Sequence, residues 1–216
     1  NDDKYKKRFY LQYFYIEFRN IVSERERLKI KKEIPNDNDF ELFKKMRKTG
    51  ENETYICGLI RNDSVIDFIE FINKKNISLT TTIEPTIFET NNLLLKNKLS
   101  LIEYAAFFGS IRIFNYLYQN KINVSSNLCL YSVHSQDSEL LQLITEKIPE
   151  EEIQYEILFY ESLKCHHNDF AIYFHDNFLQ ITKNVYYIKC LKNYNLLFTL
   201  DKFDYIDDWL LFFCQY

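Results

Sequence analysis

The run Lys-Cys-His-His-Asn-Asp at 164–169 places a thiol and two imidazoles in direct succession. These groups could form a thiol nucleophile with its base, or ligate a transition-metal ion. Neighbours at i, i+1 and i+2 on a helix do not face one another, so Cys165, His166 and His167 do not form a local dyad. A catalytic Cys165 could still pair with a distant histidine. We therefore keep a thiol- or metal-dependent activity centred on Cys165, His166 and His167 as an alternative.

The remaining groups that could do chemistry are scattered along the chain. His167 and His175 are eight residues apart, which is about 12 Å along a helix and too far to share an ion. The three glycines are too dispersed for a phosphate-binding loop. The acidic residues between 201 and 208 lack the glycine and the terminal glutamate of a calcium loop. The sequence therefore predicts a protein that is not an enzyme and that uses no cofactor, metal or small-molecule substrate.

Charge is unevenly distributed along the 216 residues. Residues 1–50 carry 14 Lys and Arg against 9 Asp and Glu, whereas the remainder carries 13 against 22. Basic and aromatic residues alternate over 4–19, as in proteins that contact nucleic acid or a membrane surface through a segment such as 4–32. At helical spacing the aromatics instead form a stripe that predicts burial, so we treat nucleic-acid or membrane contact as the alternative. The stripe comprises Tyr5, Phe9, Tyr13 and Ile16, with Tyr10, Phe14 and Phe18 beside them.

The five cysteines are widely spaced and include no Cys-x-x-Cys pair. This pattern argues against a disulfide framework and favours a reducing compartment, so we expect a cytoplasmic protein. No stretch approaches the roughly 18 consecutive apolar residues of a membrane span, and no signal peptide opens the chain. Because the chain starts at Asn1 and not at Met, we expect it to be a fragment of a longer protein.

Apolar residues recur mainly at spacings of three and four, which predicts an almost entirely helical chain. A first long helix is expected over about 3–33, followed by a break at 34–39, where Pro35 disfavours helix. We therefore expect an N-terminal helical segment, 1–50, and a repeat domain, 51–216.

Self-similarity within the repeat domain is the strongest pattern in the sequence. Each copy has two small or apolar residues, a tight turn, and two apolar pairs such as Ile113-Phe114 and Tyr116-Leu117. An insertion at 73–100 includes a helix predicted over 87–97. Recurrence of a helix–turn–helix unit near 30 residues predicts a solenoid. The copies lie at 57–69, 105–117, 132–144 and 162–174, with a less regular fifth at 188–200.

The turn between the two helices of a copy needs a residue that tolerates positive φ, which Gly109 supplies. Ala105 and Ala106 are small, so the neighbouring copy can pack closely. In the other copies we expect Asn and Asp to make the same turn or cap the second helix. These residues are Asn62, Asp63, Asp137, Asn168 and Asp169.

The copy at 100–118 resembles an ankyrin repeat in its Ala-Ala, its glycine and its second-helix pairs. It departs from that pattern at Ser100–Glu103, where ankyrin repeats have Thr-Pro-Leu-His. The order of motifs over about 50–200 resembles the domain of unknown function that precedes regular ankyrin repeats in protist proteins, notably those of trichomonads. The resemblance implies an all-α, ankyrin-like solenoid. The short link after Asn120 predicts reduced or absent β-hairpin fingers.

Such scaffolds bind other proteins through an extended surface, so we expect a non-enzymatic protein–protein interaction module with another protein as its partner. If fingers are reduced, the turns and the exposed positions of the first helices should bind the partner. The repeat register points to Glu103, Phe107, His134 and Lys164 as this surface.

Overall fold

The computed structural model describes residues 9–31, 40–180 and 183–195. The chain divides into two compact units, the first ending at Leu101 and the second beginning at Ile102. Over the described residues the secondary structure is helical, and β interaction is limited to an isolated antiparallel bridge between Thr82 and Ser100. The predicted all-α class is confirmed. The described helices include none with the length and apolar character needed to cross a bilayer.

Unit 1 begins with short helices where one long helix was expected. Residues 9–13 are helical, and a break at 19–23 precedes α2. Ser23 caps the restarted helix: its Oγ accepts from Glu26 N at 3.4 Å and donates to Glu26 Oε2 at 2.8 Å. The helices are α1 (Tyr15–Phe18), α2 (Glu24–Lys31), α3 (Phe40–Thr49), α4 (Tyr55–Arg61), α5 (Val65–Lys75) and α6 (Asn92–Lys96).

The insertion packs against the N-terminal segment. Phe43 and Phe88 are buried with Tyr15 and Ile30, and the rings of Phe43 and Phe88 meet edge to face at 5.1 Å. The N and Oγ1 of Thr90 both bind the carbonyl oxygen of Gly50, at 3.0 and 2.8 Å. Because of these contacts the inserted segment belongs to unit 1, and the boundary between the two units follows Leu101. The sequence suggested a boundary after residue 50. The expected helix at 87–97 is shorter and starts at Asn92, where Asn91 Oδ1 accepts from Leu93 N.

The aromatic stripe of the N-terminal segment is only partly buried. Tyr15, beside the stripe, is buried, whereas Tyr10 is 58% exposed and Phe18 40% exposed. The guanidinium of Arg47 lies 5.7 Å from the ring centroid of Phe14 and pairs with Glu17. The Arg47 guanidinium thus covers Phe14 in the aromatic stripe, where the sequence predicted burial against apolar side chains. Tyr5 lies outside the described residues.

Glu89 in unit 1 supports a pH-dependence prediction. It is 2% exposed, and its Oε1 accepts from Asn91 N while its Oε2 has no hydrogen-bond partner. Burial, helped by the charge of Glu51, raises the pKa of this carboxyl. The unfolded chain therefore loses this proton at a lower pH than the folded chain, so the group destabilises the fold increasingly as pH rises above the unfolded pKa.

We expect Glu89→Gln to abolish that dependence. The free energy of unfolding of Glu89→Gln minus that of the wild type should increase from about pH 4 to about pH 8, because the Glu89 carboxyl of the unfolded wild-type chain ionises. Urea unfolding at several pH values measures the difference. Glu41→Gln on the exposed start of α3 is the control. A pH-independent difference for Glu89→Gln would contradict the assignment.

Unit 2 consists of successive helix pairs. Within it α9 packs on α10 and on α11, and α11 packs on α12 and on α13. The link of 120–126 between α8 and α9 contains no strand. The helices are α7 (Leu101–Phe107), α8 (Ile111–Gln119), α9 (Asn127–Ser135), α10 (Ser138–Thr145), α11 (Tyr155–Cys165), α12 (Asn168–Phe178) and α13 (Lys183–Lys192), with a 3-10 helix at Glu150–Glu152.

Burial repeats with the sequence copies. In the copies at 105–117, 132–144 and 162–174, the three equivalent positions at i, i+1 and i+4 of each second helix are all buried, which is the burial that the alignment predicts. The first member of each second pair is only partly buried or exposed, as for Tyr173 at 50%. The buried sets are Ile113, Phe114 and Leu117; Leu140, Leu141 and Ile144; and Phe170, Ala171 and Phe174.

A left-handed turn follows the first helix of each of the five copies. Its residue has positive φ and bonds to the carbonyl three residues earlier, as in Gly109 N to Ala106 O, a common way to end a helix. Asp63 makes this turn, and Asp137 caps α10 by accepting from Leu140 N at 3.0 Å, the two roles predicted for these residues. The left-handed conformation costs about 1–2 kcal/mol at each turn whose residue is not glycine. The turn residues are Asp63 (φ 47°), Gly109 (71°), Gln136 (57°), His166 (60°) and Tyr194 (55°).

These turns correct the register of two copies. They lie 46, 27, 30 and 28 residues apart, so the first and fifth copies are displaced by two residues from the sequence alignment. The register error arose because the copies were aligned on their apolar pairs. Ile66 was counted in such a pair, but its side chain is 72% exposed. The second helix expected for the fifth copy, with Leu196 and Leu197, lies outside the described residues.

Candidate functional site

Two adjacent copies of unit 2 bring together a histidine, a carboxylate and a thiol. His134 lies near the end of α9, whereas Glu161 and Cys165 lie on α11. A spacing of four residues places Glu161 and Cys165 on one helix face, and the packing of α9 against α11 presents that face to His134. One ligand atom from each residue lies within 4.8 Å of the other two. We call these residues the His-Glu-Cys cluster.

The geometry of the cluster is compact. His134 Nε2 lies 3.0 Å from Glu161 Oε1, and Cys165 Sγ lies 3.5 Å from His134 Nδ1 and 3.8 Å from Nε2. The ammonium of Lys164 donates to the same Glu161 Oε1 at 2.7 Å. The ring of Phe107 stacks on the imidazole with centroids 4.6 Å apart. The His134 side chain is 9% exposed and that of Glu161 15%, so the cluster is largely shielded from solvent.

The electrostatics of the cluster keep the thiol protonated. Burial, together with the charge of Glu161, raises the pKa of Cys165 to about 11, although Lys164 opposes the shift. Burial would also raise the pKa of Glu161, but hydrogen bonds from His134 and Lys164 outweigh it and lower the pKa to about 2. At neutral pH the cluster therefore contains a carboxylate and a neutral thiol.

The order thiol–imidazole–carboxylate is that of a nucleophile, its base and an orienting group. A reactive cysteine, however, requires a lowered pKa, which positive charge or a helix N-terminus provides. Cys165 lies at the C-terminal end of α11, where the helix dipole disfavours a thiolate. The arrangement is thus poorly suited to nucleophilic attack by Cys165, and it links two copies.

His166 and His167 do not join Cys165 in this cluster. His166 occupies the left-handed turn and its Nε2 donates to Asn193 O at 3.1 Å, whereas His167 Nδ1 donates to Val133 O at 2.7 Å. Each imidazole is therefore directed to the backbone of a neighbouring copy. The centre expected at Cys165, His166 and His167 is replaced by one in which Cys165 meets the distant His134.

The bond from His167 has an equivalent in the next copy. Asn195 immediately follows the turn residue Tyr194, as His167 follows His166, and its Nδ2 donates to Leu163 O at 3.0 Å. Leu163 corresponds to Val133, since each lies three residues before its turn. Two different side chains thus make the same hydrogen bond to the preceding copy. Asn195 is 1% exposed and also donates to Asn168 Oδ1 at 2.7 Å.

The residues predicted as a partner-binding surface occupy different environments. Phe107 and His134 are in mutual contact and Lys164 reaches them through Glu161, so three of the four are brought together. Phe107 is buried at 8% exposure because its ring covers the imidazole, whereas Lys164 is exposed. Glu103 is partly buried on α7. Only Lys164 has the exposure that the sequence interpretation assumed.

Two features of the sequence pointed to the cluster and were missed. Glu161 and Cys165 have the i, i+4 spacing of residues on one helix face. His134 and Lys164 are equivalent positions of consecutive copies, so a residue near Lys164 on the same face was positioned to meet His134. The sequence left open a distant histidine as the partner of Cys165 but did not identify it as His134.

Comparisons of the chain with protein-family models, curated proteins and solved structures found no match.

Proposed function

We propose that this chain is a non-enzymatic helical-repeat module that binds another protein. In this interpretation its helix pairs form an ankyrin-like solenoid with reduced fingers. The equivalent bonds from His167 and Asn195 to the preceding copies are the observation that carries the proposal. One copy cannot bury its own apolar face, and a repeated link between copies supports stacking in a constant register.

The turns supply the surface proposed for binding. Gln136 and His166 are exposed, and Tyr194 is 83% exposed. All three have positive φ, a conformation that glycine would adopt at no steric cost. These three residues therefore impose a conformational cost on the backbone, and their side chains reach solvent. Both properties favour a role in recognition of a partner. We call Gln136, His166 and Tyr194 the turn row; the exposed Lys164 flanks it.

The proposal extends to family and location. The order of motifs supports a relationship to the ankyrin-associated protist domain described above. The thiols of Cys129, Cys165 and Cys190, which are not in disulfides, support a reducing, cytoplasmic environment. Burial raises the pKa of Cys129 to about 11 and that of Cys190 to about 12, so these two thiols are protonated core residues.

A displayed peptide library selected on the purified chain tests the function. The test variant combines Gln136→Asn, His166→Asn and Tyr194→Asn, because asparagine keeps the left-handed turns. The control combines Glu139→Asn, Asp169→Asn and Tyr173→Asn, three exposed residues of the second helices. We expect the wild type and the control to enrich the same peptides and the turn-row variant to lose them. No enrichment, or enrichment that the turn-row variant retains, would contradict the proposal.

A further inference from the structure

We propose that the His-Glu-Cys cluster is a zinc site that joins two consecutive copies of unit 2. This proposal is independent of the partner-binding function. His134 from α9 and the pair Glu161 and Cys165 from α11 would supply an imidazole nitrogen, a carboxylate oxygen and a thiolate. Zn²⁺ accepts all three ligand types, and the mixture of soft and hard donors favours it over Ca²⁺ or Mg²⁺.

The distances between the ligand atoms fit a tetrahedral ion. With zinc–ligand bonds of about 2.0–2.3 Å, neighbouring ligands of a tetrahedral site lie roughly 3.3–3.6 Å apart. His134 Nε2 lies 3.0 Å from Glu161 Oε1 and 3.8 Å from Cys165 Sγ. Shifts of a few tenths of an ångström would bring both distances into that range.

Binding requires three local changes. The proton on His134 Nε2 moves to Nδ1, and the Cys165 thiol releases its proton to solvent because zinc binds the thiolate. Lys164 now occupies Glu161 Oε1 at 2.7 Å. Its side chain is 51% exposed and flexible, so it can leave that oxygen to the ion. The fourth position of the tetrahedron falls to water.

The site would change how the two copies are held together. At present a hydrogen bond and a weak thiol contact join His134 to α11. A metal ion would replace them with coordinate bonds between α9 and α11, next to the backbone link from His167 to Val133. Zinc should therefore raise the midpoint of thermal unfolding of the chain, because it binds the folded state and not the unfolded one.

Cobalt and zinc titrations of the reduced, chelator-treated chain test the proposal. We expect one equivalent of Co²⁺ to produce the near-ultraviolet thiolate-to-cobalt charge-transfer band and the intense visible bands of a tetrahedral site. Zinc should displace the cobalt stoichiometrically. In Cys165→Ser and in His134→Gln the band should be lost, and zinc affinity should fall by about 100-fold or more, since a ligand counts for more than an outer-shell partner.

His175→Gln is the matched control because it removes a partly exposed imidazole from α12, outside the cluster. It should bind both ions as the wild type does. A wild-type chain that gives no charge-transfer band, or a band that persists in Cys165→Ser, would overturn the proposal. If a ligand variant fails to fold, the wild-type chain still decides: an unfolding midpoint that zinc does not raise would overturn it.

Discussion

Replacing Phe174 with alanine is expected to lower the free energy of unfolding by about 3–5 kcal/mol, the usual cost of deleting a buried phenylalanine ring. Phe174 is 0% exposed, and its ring lies 6.2 Å from that of Tyr155 and 6.3 Å from that of Phe170. It occupies the last buried position of the second helix in its copy. The cavity would separate α12 from α11, the helix on which it packs.

Tyr173 is the control for this substitution because it neighbours Phe174 on α12 and is 50% exposed. We expect Tyr173→Ala to change the free energy of unfolding by about 1 kcal/mol or less. Urea unfolding followed by circular dichroism measures both variants. Equal losses for the two variants would show that the copies do not bury the positions assigned to the core.

Replacing Asn195 with aspartate should destabilise unit 2 by about 3 kcal/mol or more at neutral pH, as expected when a buried charge lacks a compensating partner. The Nδ2 of Asn195 donates to Leu163 O and to Asn168 Oδ1. A carboxylate would present only acceptors to these two oxygens. The pKa of the introduced carboxyl should rise on folding, so the loss should grow from about pH 4 to about pH 8.

Asn177→Asp is the matched control for Asn195→Asp. Asn177 is exposed, and its Nδ2 donates to the backbone oxygen of Tyr173 at 2.8 Å, so the same chemical change occurs where water can compensate. We expect an effect of at most about 1 kcal/mol. Chemical denaturation of both variants across this pH range is the measurement. An Asn195→Asp chain as stable as the wild type would show that the link between copies does not stabilise unit 2.

The sequence predicted the helices and the three central copies because those features depend on local spacing. Apolar residues at i, i+1 and i+4 mark the buried face of each second helix, as Leu140, Leu141 and Ile144 show. The register failed in the first copy, where Ile66 is apolar but exposed. An apolar residue type does not by itself establish burial, whereas the hydrogen bonds that close the turn do define the register.

The identity of the turn residues was predictable only in part. Gly109 and Asp63 are residues that favour positive φ, but Gln136, His166 and Tyr194 are not. At those turns the packing of the two helices determines the backbone, and the side chain follows. Residue type alone therefore could not reveal that Gln136 and Tyr194 lie at turns.

The His-Glu-Cys cluster was missed because it depends on the lateral contact between copies. His134 and Cys165 are 31 residues apart in sequence, and their meeting depends on how α9 lies against α11. The spacing of residues within one copy carries no information on how α9 lies against α11. The contact of the inserted segment with the N-terminal segment was not predicted for the same reason, because the contact of Phe88 with Phe43 is likewise long-range.

The central claim is that stacked copies present a binding surface at their turns. Its most direct test is the dissociation constant of a selected peptide for the wild-type chain, for the turn-row variant and for the second-helix control. We predict binding at least about tenfold weaker for the turn-row variant, equivalent to about 1.4 kcal/mol, and unchanged binding for the control. Equal dissociation constants for the wild type and the turn-row variant would contradict the claim.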